Sequence, residues 1–393
     1  MNARGAWVVF RKEVTENLRD RRAVMSALLY GPLIGPLMFA GMMTMVLKVQ
    51  EERAEAPLEI PVAGQDNAPN LITFLRQQGA QIQPAPADAE AAVRAQDEEV
   101  VLVIPETFAE QFRAGEPATV RLILDESRRE SGTKIRRVTT LLDAYSRQIG
   151  LLRLQARGVN PAITRALAVE EVDLSTAESR SVIILGMLPY FVMLALFVGG
   201  MYLAIDTTAG EKERGSMEPL LINPVSRGAI MSGKLAATVV FSLASLMLTL
   251  VAFAFSLGWV PADSLGISID LSATKVIALF LIVTPVALLA SGLQTIIASF
   301  AKGFREAQTY LSILMLVPMI PVVVLLIMPV KAKTWMMTVP ILSQTMLIEK
   351  VVRGELIPTV DIAISVLCTT ALGLIFAVLA ARLYDREQML QST

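Results

Sequence analysis

The chain has 393 residues, 54% of them hydrophobic and 18% charged, with a mean hydropathy of +0.55, which is too apolar for a water-soluble globular protein of this length. Lysine and arginine (35) balance aspartate and glutamate (36), so no global basic field argues for nucleic acid as a partner. Histidine is absent and Cys368 is the single cysteine, which excludes Ser-His-Asp or Cys-His catalysis, an intrachain disulfide, and cysteine or histidine metal centres.

In residues 1–22, Trp7, Phe10, Val14 and Leu18 share one helical face while Lys12, Glu16 and Arg19 point elsewhere. That pattern predicts an amphipathic helix lying in the membrane interface and packing beside the first span. A spanning helix needs about 20 predominantly apolar residues. Six uncharged runs of that order follow, at 23–47, 182–205, 235–261, 276–301, 307–330 and 362–381. The first is longer than the core of a secretory signal, and no small-residue cleavage site follows it, so it reads as an uncleaved span.

Positive charge near the span ends predicts the orientation. Arg4, Arg11, Lys12, Arg19, Arg21 and Arg22 precede the first span; Lys212, Arg214, Arg227 and Lys234 lie between the second and third; Lys302, Arg305, Arg382 and Arg386 fall on the same side. Both termini are therefore expected in the cytoplasm of a bacterial cell, with the inner membrane as the location and 48–181 outside.

Within 48–181, β-rich stretches at 58–62, 100–104 and 120–124 alternate with helical patterns at 70–78 and 106–114. Ile135, Val138, Leu142, Tyr145, Ile149 and Leu152 recur at helical spacing over 133–154. Arg128, Arg129, Lys134, Arg136 and Arg137 flank the start of that helix, as a solvated basic face or as a contact for substrate or lipid headgroups. The fold class expected is an α-helical multi-pass membrane protein with six transmembrane helices and an inserted extracytoplasmic α/β domain.

Between the fifth and sixth spans, the apolar stretch 335–352 is interrupted by Pro340, Ser343, Gln344, Glu349 and Lys350. A re-entrant or interfacial segment within 331–361 is predicted, because irregular backbone at membrane depth needs protein or water to satisfy it. Pro318 and Pro321 should break or bend the fifth span.

The segment 206–234 carries the most informative motif, GEKERGSMEPLLINPVSR at 210–227. Alternating charge followed by a short apolar turn between Pro219 and Pro224 suits a docking knob, and it suits a plain solvated loop as well. The motif, placed directly after the second of six spans, resembles the signature of the permeases of type-2 ABC exporters, near the NatB-like sodium-extrusion branch. The large domain between the first two spans is similar to that branch too. The resemblance implies that this is the coupling loop, which sits in a cleft of a separate ATP-binding subunit. Glu211, Lys212, Glu213, Arg214, Gly215, Glu218, Pro219, Leu220, Leu221, Ile222, Pro224 and Arg227 would carry that contact. It further implies a second permease copy, identical or paralogous, a lipid environment, and ATP and magnesium held by the partner subunit rather than by this chain. Met217 stands where such loops more usually have a threonine-leucine pair.

Residues 228–234, GAIMSGK, copy most of a phosphate-binding loop, but Leu235 replaces the hydroxyl residue that would hold magnesium, and no strand precedes them. No charge falls within any expected span, so the usual intramembrane functional marker is missing. The polar residues Ser291, Gln294, Thr295 and Ser299 cluster on nearly one face of the fourth span. They either join helices by hydrogen bonds or line a translocation path. Gly31 and Gly35 form a small-residue pair of the kind that seats another helix. A membrane-anchored sensor or scaffold is the competing functional class; it needs no coupling knob and would be favoured by a cytoplasmic output domain.

Overall fold

The computed structural model describes residues 3–125, 132–164, 185–216, 225–261, 271–328 and 330–385, together with positions 167, 170, 172 and 176. It divides into two compact units, Val46–Asp173 and a unit formed by Met1–Met45 with Leu174–Thr393.

The unit Val46–Asp173 is a mixed sheet with helices. Strands β1 (Leu58–Ala63), β2 (Ala80–Pro84), β3 (Val100–Val103) and β4 (Arg121–Leu124) lie in the order β2-β1-β3-β4. The β1 strand pairs in parallel with both β2 and β3, and β4 runs antiparallel to β3. The parallel pairs need crossovers, supplied by the helices Pro69–Gln77 and Ala89–Ala95. Ile60, Val62, Leu71, Leu75, Leu102 and Ile104 form the core, and the helix Gly132–Ala156 packs Val138 against it with Ile135, Leu142 and Tyr145 alongside. The predicted strands and the long helix are all present. The β2 strand had no signal in the sequence because Gln81 and Gln83 dilute its β character, and Pro84 is tolerated at its edge position. Arg128 and Arg129 fall outside the described residues; Arg137 donates to the Ala56 carbonyl at 3.0 Å.

The other unit is a helical bundle. Its helices are α1 (Ala3–Arg19), α2 (Arg21–Val24), α3 (Gly31–Glu55), then Leu188–Ile205, Arg227–Ser256, Ala273–Phe300, Phe304–Leu314, Met319–Ile327, Leu342–Val352 and Thr359–Asp385. Among the described residues, six helical stretches are long and apolar enough to cross a membrane: Ala27–Val49, Leu188–Glu213, Arg227–Trp259, Ala273–Phe300, Phe304–Leu325 and Thr359–Tyr384. The fifth is interrupted by a turn at Met315–Pro318, as its prolines require. Two π-helical segments are built in, Met25–Tyr30 and Asp206–Gly210. Gly199 and Gly200 lie so close to Ser245 and Ser242 that an added Cβ at either position would collide with them. Small residues here let the helix Leu188–Ile205 seat directly on Arg227–Ser256.

The amphipathic helix is present as α1, with Trp7 and Leu18 exposed and Glu13 and Asn17 buried. It packs on Ala27 of the first span, as expected, and also on Arg227–Ser256: Gly233 meets the Ala6 carbonyl and Val9, while Phe10 and Val14 join Ala27, Leu203, Ala237 and Phe241. The helices also reach beyond the expected spans, and charges that flank those spans are themselves helical. Leu188–Glu213 extends through Asp206 and Glu211, and Arg227–Ser256 carries Lys234. A hydropathy reading ends a span at a charge, whereas burial tolerates charges that neutralise one another.

Candidate functional site: the charged end of the helical bundle

The second spanning helix leaves its α-helical register at Asp206–Gly210 and ends in the turn Glu211–Glu213. In an α-helix the Glu211 amide would donate to Thr207; here it donates to the carbonyls of Asp206 and Thr208. The Thr207 carbonyl instead accepts from Lys234 Nζ at 2.9 Å, and the same ammonium pairs with the Glu211 carboxylate. The Lys234 side chain is 1% exposed and that of Glu211 10%. A lysine this deep is tenable only with a counter-charge and filled donor positions.

From α1, Glu13 faces the same cluster with its residue 3% exposed. Burial pushes its carboxyl above the usual range, against the pull of Lys234 and Lys12, and the negative charges of Glu211 and Glu16 add to the rise. The Lys234 ammonium stands 5.6 Å from the centre of the Tyr384 ring. Four elements therefore meet here: α1, the π-helical turn, the start of the third span and the end of the sixth.

The residues of the expected coupling contact separate into groups. Glu211 is turned into the protein. Arg214 is exposed but bound to Asp206, at 2.7 Å to the carboxylate and 3.2 Å to the carbonyl. Glu213 accepts the backbone N–H of Phe304 at 2.7 Å and so caps the helix Phe304–Leu314 from another element. Lys212 is half-buried, and Gly215 ends the turn at φ +66°, a conformation that favours glycine. Arg227 opens the third span. Glu218, Pro219, Leu220, Leu221, Ile222 and Pro224 lie outside the described residues. The stretch 228–234 belongs to the helix Arg227–Ser256 and is no phosphate loop.

The second group of candidates lies deep in the fourth span. Ser291, Gln294, Thr295 and Ser299 are all buried. Thr295 and Ser299 donate to carbonyls one turn back, and Gln294 Nε2 donates to Phe197 O at 2.6 Å. The Oγ of Ser291, Oε1 of Gln294, and the hydroxyl oxygens of Ser242 and Thr249 find no partner among the described residues. The four residues thus combine helix joining with unfilled acceptor capacity.

Three features escaped the sequence reading: Lys234, Glu13, and a polar network around Gln344. The alternation of Phe10, Glu13, Val14 and Asn17 at helical spacing was the available signal for Glu13. In the network, Gln344 Oε1 accepts the N–H of Ile341, and Nε2 donates to Ser365 and Thr369 on the last span. This anchors the helix Leu342–Val352, part of the predicted re-entrant segment, with Ser343, Gln344 and Thr345 fully buried.

Comparison with known proteins decides the family. The family model described as ABC-2 family transporter protein matches residues 28–382. The chain belongs to the ABC-2 transporter family. Among curated proteins, it is 26% identical over 327 residues to the ABC transporter permease protein NatB of Bacillus subtilis (strain 168), an alignment covering 80% of each chain. As a member of the ABC-2 family it is a multi-pass transmembrane permease subunit of an ABC transporter, and the family implies an ATP-binding subunit as partner.

Proposed function

We propose that this chain is the membrane-embedded half of an ATP-driven exporter of the bacterial inner membrane, working as a dimer of permeases with two ATP-binding subunits. The observation that carries the reading is the family match over 28–382, joined to a charged segment that leaves the second of six spans. In this reading 206–227 docks on the ATP-binding subunit, with 217–224 as the inserted knob. Both termini lie in the cytoplasm, and 48–181 lies outside, as the arginines and lysines around the first span argue. ATP and magnesium bind the partner, since no stretch of this chain supplies a complete phosphate loop. Closure of the ATP-binding subunits drives alternating access across the bundle, and Ser291, Gln294, Thr295 and Ser299 face the path.

The test is co-expression with the ATP-binding subunit of the neighbouring gene, followed by co-purification and ATPase assay in nanodiscs. Co-purification with ATPase stimulation by the permease supports the reading; a permease that neither binds nor stimulates that subunit refutes it. Sodium is the substrate the resemblance supplies, and ATP-dependent ²²Na⁺ flux in proteoliposomes separates it from lipid, peptide or hydrophobic drug export.

A further inference from the structure

The lysine of the 228–234 stretch is turned into protein rather than toward a ligand. Its ammonium takes up the Thr207 carbonyl that the π-helical turn leaves without the Glu211 amide, and it neutralises Glu211. Both contacts join the end of the second spanning helix to the start of the third, and both fix the single turn from which 212–216 leave the bundle. The turn is also restrained by the Thr207 and Thr208 hydroxyls, which donate to the Leu203 and Ala204 carbonyls, by Arg214 on Asp206, by the Ser216 N–H and hydroxyl on the Glu211 carbonyl at 3.1 and 3.2 Å, and by Glu213 on the Phe304 N–H. Lys234 is a fully buried side chain that holds it from a neighbouring helix.

We propose that Lys234 is the positioning residue of the coupling segment, setting the direction in which 212–216 leave the bundle toward the ATP-binding subunit. This rests on the reading of 206–227 as the docking segment.

The experiment uses the full permease in nanodiscs with its co-purified ATP-binding subunit. Lys234→Met and Glu211→Gln are made singly and together. For each, the melting of the permease alone, subunit binding and ATPase stimulation are measured. A displaced docking element costs roughly tenfold or more in a step that depends on its geometry. The double variant, which leaves no unpaired charge, is expected to melt as the parent does and to lose stimulation about tenfold, no more than either single variant. Stimulation by the double variant within twofold of the parent overturns the proposal. If the double variant does not fold, Glu211→Gln, which keeps a hydrogen-bonding oxygen beside Lys234, decides: stimulation within twofold of the parent overturns the proposal, and a tenfold loss at an unchanged melt supports it. A parent that fails to stimulate the subunit at all refutes the docking reading instead.

Discussion

Gln344 Nε2 donates to Thr369 Oγ1 at 2.7 Å, which binds the helix Leu342–Val352 to the last span. The other end of the same amide accepts from Ile341, whose backbone sits at φ +69°, ψ −49°. A buried β-branched residue at positive φ is strained and persists only when its surroundings overdetermine it. Gln344→Leu removes the acceptor of the Ile341 N–H and the donor to the Thr369 and Ser365 hydroxyls, of which Ser365 keeps its bond to Ser343. It is expected to destabilise the solubilised permease by about 1–3 kcal/mol, read as a lower melting temperature. An unchanged melt would show that the network contributes only packing.

Glu213 holds a different junction. Its carboxylate caps Phe304, and an added Cβ at Gly303 would approach it to 2.8 Å. Glu213→Ala should cost about 1 kcal/mol in the same melt, and Glu213→Gln less, because the glutamine oxygen still accepts the bond. Subunit binding measured on both variants separates this internal role from a direct contact with the partner. Loss in both would place the charge itself at the interface.

Gly200 packs against Ser242 Oγ, with Thr238 and Gln294 beside it. Gly200→Ala forces a methyl group into that contact and should cost about 1–3 kcal/mol as the helices separate. Gly41, whose added Cβ would meet nothing within 4 Å, is the matched control and should tolerate alanine. Equal melting of the two variants would contradict the close packing.

For the permease alone, the raised range of Glu13 fixes the sign of one pH dependence. The contribution of this group to stability is fully present below the pKa of an unfolded glutamate and is lost as pH rises through the higher folded value. Glu13→Gln removes that decline. Melting curves from pH 4 to 8 test it, and a variant that keeps the parent's slope assigns the slope to another group.

Topology is tested by cysteine labelling. In a Cys368→Ser background, Gln81→Cys, exposed on β2, should react with an impermeant maleimide in intact cells. Labelling only after lysis would reverse the proposed orientation.

The six apolar runs and the strands of the smaller unit were legible because burial in lipid or in a sheet leaves a continuous or alternating apolar pattern. The break after Leu314 was legible from Pro318 and Pro321. The inward face of α1 was not: a pattern of apolar residues points to Trp7 and Leu18, and the positive charges of Lys12 and Lys234 beside Glu13 are what make its burial tenable. The Lys234–Glu211 pair was hidden as well, since its members are 23 positions apart, Lys234 looks like a span boundary when read alone, and Glu211 looks like a loop residue. Part of the docking motif, 217–224, lies outside the described residues, so its reading rests on the motif itself.

The π-helical turn at Asp206–Gly210 has a consequence that concerns counting rather than chemistry. Such a turn accommodates one residue more than an α-helix would, and each residue rotates a helix by about 100°. A single deletion within the five can therefore be absorbed by closing the turn into an ordinary α-helix, which keeps the residues downstream in place and returns an amide partner to the carbonyl that Lys234 takes. A single insertion has no such reserve: it would turn everything downstream by about that angle and carry Glu211 away from Lys234.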